Sequence, residues 1–101
     1  MSLAQKTIGT SNTTLFTSIG ETACTTIHLC NHGVSDDAFN LYFVKSGSVA
    51  STANVVYIEV PLTAKNTYVI DQEKVLFGPG DAIVAKCNTG TIACTISYTE
   101  I

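Results

Sequence analysis

The amino-acid sequence predicts an all-β protein, folded as a single antiparallel β-sandwich of about eight strands with a jelly-roll or immunoglobulin-like topology. Threonine is the commonest residue, followed by isoleucine, valine and alanine, and this composition is typical of β-sheet. Short β-branched runs recur between turn signals, whereas apolar residues at helical spacing are almost absent. A chain of 101 residues is long enough to bury one core and too short to bury two, so we expect one domain.

Eight strands are predicted between segments that supply Gly, Asn, Asp or Ser, where turns need positive φ or local side-chain hydrogen bonds. The strands fall near residues 13–19, 22–30, 39–45, 54–62, 67–71, 74–77, 81–87 and 91–99. The sandwich domain is therefore predicted over residues 13–101. Residues 1–12 are polar and rich in small side chains, so they are predicted to form a flexible N-terminal arm that orders only against a neighbour.

Period-two alternation assigns the faces of the predicted strands, because successive side chains on a strand point to opposite sides of a sheet. Three rows are predicted to face the core: Ala23, Thr25, Ile27 and Leu29; Phe39, Leu41 and Phe43; Val56, Ile58 and Val60. The second predicted strand then turns its other row away from the core: Cys24, Thr26, His28 and Cys30.

The last two strands are predicted to form a hairpin. If Gly90 and Thr91 occupy the two positions of a type II′ turn, Cys87 falls opposite Cys94, whereas a longer loop would shift this register. The two cysteines then form either a cross-strand disulfide or a pair of small core residues. We favour buried thiols, because free cysteine is among the most buried residue types.

The segment CTTIHLCNH, residues 24–32, holds two cysteines and two histidines, the residue types that ligate zinc. Each strand residue advances about 3.3 Å, which places Cys24 about 20 Å from Cys30 and about 13 Å from His28. These separations exclude a disulfide between the two cysteines and a single zinc ion bound by both ends of the segment. A smaller site made of His28, Cys30 and His32 remains an alternative, but its spacing matches no zinc-finger pattern, so no metal or other cofactor is predicted.

Two cysteines on an outward face need a second sheet or another subunit to cover them. Cys24 and Cys30 are therefore predicted as interface residues, or as partners in disulfides between subunits that form outside the reducing cytoplasm. Together with Cys87 and Cys94, they make up the set of candidate disulfide or interface residues.

Charge and motifs exclude several classes of function. The net charge is −3 with only five basic residues, so the chain has no basic stripe for nucleic acid or for a membrane surface. Its N-terminus has no apolar export signal, and no run of about 18 apolar residues could span a bilayer. Only two histidines are available as a catalytic base, and FGPGD lacks the lysine of a phosphate-binding loop. No enzymatic activity is expected.

Three segments resemble a known family: TACTTIHLCNHG, FNLYFVKSG and YVIDQEKVLFGPGDAIVAKCNTGTIACTISYTEI. They look like small all-β structural proteins of tailed bacteriophages, and the resemblance covers about residues 14–101. The TTIHLCN strand, the VPLTAKNTYVID hairpin, the EKVLFGPGD turn and the terminal SYTEI carry it. The cysteine content departs from this pattern, since Cys24, Cys87 and Cys94 stand where the resemblance leads us to expect Val or Ala.

The resemblance implies a virion protein, made in the host cytoplasm, that decorates or cements the capsid or sits in the neck or tail. Its expected partners are further copies of itself and other virion proteins, such as the major capsid protein. The outward apolar residues expected to make these contacts are Tyr42, Val44, Val55 and Tyr57. The alternative is a receptor- or carbohydrate-binding module of a fibre or baseplate, which the absence of Trp and the placement of all four Tyr in predicted strands disfavour.

Overall fold

The computed structural model describes residues 2–71 and 75–101, and over these residues the fold is all-β with no helix. Its strands are β1 (Ser2–Ile8), β2 (Thr13–Thr17), β3 (Thr22–Asn31), β4 (Asp37–Val44), β5 (Val55–Leu62), β6 (Thr67–Ile70), β7 (Val75–Phe77), β8 (Ala82–Cys87) and β9 (Ile92–Glu100). The predicted strand over 74–77 is described from residue 75 onward, and Lys74 lies outside the described residues. In this part of the chain, no helix long and apolar enough to cross a membrane is found.

The strands form two antiparallel sheets, which confirms the predicted all-β, antiparallel class. The first sheet has the order β1-β9-β3-β6, with β7 pairing beside β6 on the same strand, β3. The second sheet has the order β2-β8-β4-β5. Buried apolar side chains from both sheets form one cluster, whose largest fully buried members are Ile8, Ile27, Leu29, Phe39, Leu41, Ile83, Ile92 and Ile96.

The N-terminal segment differs from the prediction of an arm over residues 1–12. Residues Ser2–Ile8 form β1, which pairs with β9 at seven consecutive positions. Ile8 is fully buried and Ala4 packs against the core, so the strand has an inward row, although a short one. Residues 2–8 therefore belong to the first sheet, and the sandwich domain does not begin at residue 13.

The prediction that Cys24, near the start of the second predicted strand, faces away from the core is wrong. The register between β3 and β9 shifts between Cys24 and Thr26, which indicates a β-bulge. The extra residue reverses the alternation, so Cys24 faces the core together with Ile27 and is only 2% exposed. Beyond the bulge the prediction is confirmed: Leu29 is buried and His28 is exposed.

The prediction that Val56, Ile58 and Val60 face inward is also wrong in part. The pairing of β5 with β4 shifts at two places, and Glu59 has a left-handed φ of 48° that is stabilised by its N–H donating to Asn40 Oδ1 at 2.7 Å. Val60 packs against the core as predicted, but Val56 and Ile58 are exposed. Tyr57, predicted to face outward, packs against the core instead.

The predicted C-terminal hairpin does not form, because β8 and β9 lie in different sheets. Residues 88–91 carry the chain from the second sheet to the first, with Gly90 at a φ of 76°. Cys87 and Cys94 are both buried, as favoured above, but they are not a cross-strand pair.

The surface patch predicted from Tyr42, Val44, Val55 and Tyr57 is not exposed. Tyr42 and Val44 form a small buried cluster with Val84 on the outer side of the second sheet, and Ala50 of the β4–β5 loop packs against it. The chain therefore covers much of its own apolar outward row.

Candidate functional site

The outer side of the first sheet forms a continuous surface that we call the neutral face. Strand pairing defines it: Gln5 lies beside Thr95, Thr95 beside His28, and His28 beside Val69. Its members are Leu3, Gln5, Thr7, Ala23, Thr26, His28, Cys30, Thr67, Val69, Leu76, Ala93, Thr95, Ser97 and Thr99. No Lys, Asp or Glu occurs among these described residues, although the chain has 13 such residues in total.

The neutral face is broad, although it is smaller than the area that a typical stable interface buries on each partner. Four strands at a spacing of about 4.8 Å, with up to nine residues at about 3.3 Å each, cover about 600 Å². Stable interfaces bury about 800 Å² per partner and have few charges at their centre. Three of its apolar side chains are well exposed: Leu3 at 63%, Leu76 at 71% and Val69 at 45%.

His28 and Cys30 lie next to each other on the neutral face, as alternate residues of β3. His28 is exposed between Thr95 and Val69, whereas Cys30 is half-buried. His32 follows the strand, where its carbonyl accepts a hydrogen bond from Lys65 Nζ at 3.1 Å. Within residues 2–71 and 75–101, no three His, Cys, Asp or Glu side chains come together in a way that could hold a metal ion.

The other three cysteines lie in the core, and all four are free thiols. Burial, together with a smaller effect of the neighbouring Cys24, raises the pKa of Cys94 to about 12. Burial also raises the pKa of Cys24 and of Cys87, whose Sγ donates to the carbonyl of Ile8 at 3.4 Å. Because the thiolate is the reactive form, these three are chemically inert in the folded protein.

Thiol labelling should therefore separate Cys30 from the other three. We expect a maleimide reagent at pH 8 to modify Cys30 in the native protein, and to modify Cys24, Cys87 and Cys94 only after unfolding. Intact-protein mass spectrometry counts the adducts, and Cys30→Ala should show no adduct before unfolding. More than one adduct on the native wild-type chain would contradict the burial of the three core thiols.

A buried polar network, here called the Asp37 network, ties the loops together at one end of the fold. Asp37 is 5% exposed, and its Oδ1 accepts hydrogen bonds from the backbone N–H groups of Ala38, Asn88 and Thr89 at 2.7, 2.8 and 3.1 Å. Its Oδ2 accepts from the Thr89 hydroxyl at 2.7 Å. Burial by itself would raise the pKa of Asp37, but the hydrogen bonds outweigh it and lower the pKa to about 2.

Asn31, which is fully buried, extends the Asp37 network. Its Nδ2 donates to the carbonyls of Ser35 and Leu62 at 2.9 and 3.0 Å, and its Oδ1 accepts from the Thr91 hydroxyl at 2.9 Å. In the described part of the chain, no buried side-chain nitrogen or oxygen lacks a hydrogen-bond partner. An ionised carboxylate with its acceptor positions filled fixes loop geometry and does not accept a substrate proton.

A cleft of about 310 Å³ opens between the two sheets, near the bulged end of β3. Phe16 and Tyr98 form one wall, with ring centroids 4.6 Å apart, and Thr22 and Glu100 contribute polar atoms. The cleft holds no Cys or His, the residue types considered above as nucleophile and base. It can accept a small ligand.

The neutral face and the cleft are two surfaces of the described residues that are suited to binding. No protein-family model, no curated protein and no solved structure matches the chain.

Proposed function

We propose that this protein is a non-enzymatic structural component of a bacteriophage virion, made in the host cytoplasm. It decorates or cements the capsid, or sits in the neck or tail, through repeated protein–protein contacts. The neutral face carries the proposal, because its described residues include no Lys, Asp or Glu and three exposed apolar side chains, a composition that suits the centre of an interface. Its partner is the neutral surface of a neighbouring virion protein, such as the major capsid protein.

We also propose that the fold is a jelly-roll β-sandwich. With β7 set aside, the first four strands pair with the last four in reverse order: β1 with β9, β2 with β8, β3 with β6, and β4 with β5. This nested pairing, divided between two four-stranded sheets, favours the jelly roll over the immunoglobulin-like arrangement. Jelly rolls serve in viral capsids and in lectins, so the fold is compatible with both functions considered.

Of the four cysteines, Cys30 is the one proposed to contact another protein. Cys30 lies on the neutral face and is half-buried, whereas Cys24, Cys87 and Cys94 are enclosed in the core. An interface or cross-linking role in the virion is therefore proposed for Cys30 alone.

A lysine placed on the neutral face tests the proposal. We expect Thr95→Lys to lower incorporation into particles about a hundredfold, because an unpaired charge buried in an interface costs about 3 kcal/mol or more. The matched control is Thr52→Lys in the exposed β4–β5 loop, which should incorporate like the wild type. Both variants should keep wild-type unfolding curves, since surface substitutions usually change stability by about 0.5 kcal/mol at most. Equal incorporation of both variants would contradict a contact through the neutral face.

The cleft supports the second candidate, a receptor- or carbohydrate-binding module of a fibre or baseplate. Aromatic rings beside a carboxylate and a hydroxyl are groups that bind sugars, and Phe16, Tyr98, Glu100 and Thr22 supply them. Specific glycan-array binding by the wild-type chain, lost in Tyr98→Ala, would favour this function. We rank this function second because Phe16 and Tyr98 pack against each other, and a ring in contact with another ring is less available to a sugar.

A further inference from the structure

The strand edges of the two sheets differ in how they are protected against pairing with another chain. Edge β5 has two irregularities of register and contains Pro61, which has no N–H to donate. Edge β2 is five residues long with one shift of register, and β6 and β7 have only four and three residues. Edge β1 has no register shift and no proline, and its seven residues keep a regular register with β9, so Lys6 is its one protective charge.

The free side of β1 is thus an open template for strand addition. In a regular edge strand, alternate N–H and C=O groups point away from the sheet, and another strand can bind them. No other strand among the described residues pairs with this side. We infer that β1 pairs with β1 of a second copy, antiparallel about a two-fold axis, to form a continuous sheet across a dimer.

The chemistry of β1 selects one register for this pairing. Directly opposed residues of antiparallel strands point to the same face, so outward residues must oppose outward residues. Placing Gln5 on the axis pairs the full strand, with Leu3 opposite Thr7 and Ala4 opposite Lys6. A shift of the axis to Lys6 would oppose two like charges, and a shift to Ala4 would shorten the pairing. The two Gln5 side chains, each a donor and an acceptor, then face each other on the axis.

The dimer would enlarge the surface on which the proposed function rests. A two-fold axis perpendicular to the sheet keeps both neutral faces on the same side. They join into one surface of about 1,200 Å², which exceeds the area of about 800 Å² per partner of a typical stable interface. The docking unit is then the dimer, and a single copy offers only half of the contact.

Light scattering and sedimentation of the purified whole chain test the inference over a range of concentrations. We expect a monomer–dimer equilibrium whose Kd rises about tenfold or more in Gln5→Lys, because two ammonium groups then oppose each other on the axis. Gln5→Thr, which is neutral and suits a strand, should leave the Kd within a few-fold. In the dimer, hydrogen exchange should show protection of the β1 amides that point away from β9.

Other outcomes overturn the inference. A monomer at every concentration, with those β1 amides exchanging freely, shows that the edge stays unpaired. A dimer unaffected by Gln5→Lys but dissociated by Thr95→Lys forms through the neutral face instead of the edge. The particle assay is separate: a dimer sensitive to Gln5→Lys, combined with normal incorporation of Thr95→Lys, would reject the contact through the neutral face and keep the edge pairing.

Discussion

Replacing Phe39 with alanine is expected to lower the free energy of unfolding by about 3–5 kcal/mol. Phe39 is 1% exposed and lies in the second sheet, and its ring meets Tyr68 of the first sheet edge to face at a centroid distance of 5.6 Å. It also pairs with Cys87 and Val60 on the two neighbouring strands. The substitution removes apolar contact and leaves a cavity between the sheets, which cannot fully close.

Chemical denaturation of the whole chain measures this effect. The control is Ile58→Ala on the adjacent strand, which removes three carbons from a side chain that is 61% exposed and should cost about 1 kcal/mol or less. Similar losses for Phe39→Ala and Ile58→Ala would mean that Phe39 does not join the two sheets in a shared core.

Replacing Asp37 with asparagine is expected to cost about 2–3 kcal/mol at neutral pH. The amide keeps the size of the side chain, but its NH₂ group would face the Thr89 hydroxyl, which donates to Oδ2 in the wild type. The charge-assisted bonds from the backbone of Asn88 and Thr89 would also weaken. Asp71→Asn, at an exposed carboxylate, is the matched control and should leave stability within about 0.5 kcal/mol of the wild type.

The pH dependence of this difference identifies the charge as its cause. The pKa of Asp37 falls from 3.8 to about 2 on folding, so its ionised form stabilises the protein above pH 3.8. That stabilisation, about 2 kcal/mol, is lost as the pH falls from about 4 through 2. The stability gap between the wild type and Asp37→Asn should therefore shrink over this range. A gap that stays constant to pH 2 would contradict the lowered pKa.

The local sequence pattern predicted the positions of β2 to β9 well, because the Gly, Asn, Asp and Ser residues that form turns mark where strands end. It predicted faces only where a strand is regular: Phe39 and Leu41 of β4 are buried as expected, and Phe43 packs against the core. In β3 and β5, bulges add a residue and reverse the alternation, so Cys24 turns inward and Ile58 outward. A single sequence carries little signal for a bulge.

Long-range pairing explains the remaining differences. Strand β1 is an edge with few inward apolar residues, and it orders because β9 offers it a complete register. The C-terminal turn suits a hairpin locally, yet hydrogen bonds from Asn88 and Thr89 to Asp37 direct the chain to the other sheet. The neutral face was visible only as alternating small and hydroxyl side chains along residues 93–99, and its extent requires the strand order.

The copy number of this protein in purified phage particles is the most direct test of the proposed virion function. Quantitative mass spectrometry, calibrated with isotope-labelled peptides, gives the ratio to the major capsid protein. We predict that the protein is present at a fixed stoichiometry. A ratio near one places it on the shell, and a far lower ratio places it in the neck or tail. Absence from the particles would contradict the virion function altogether.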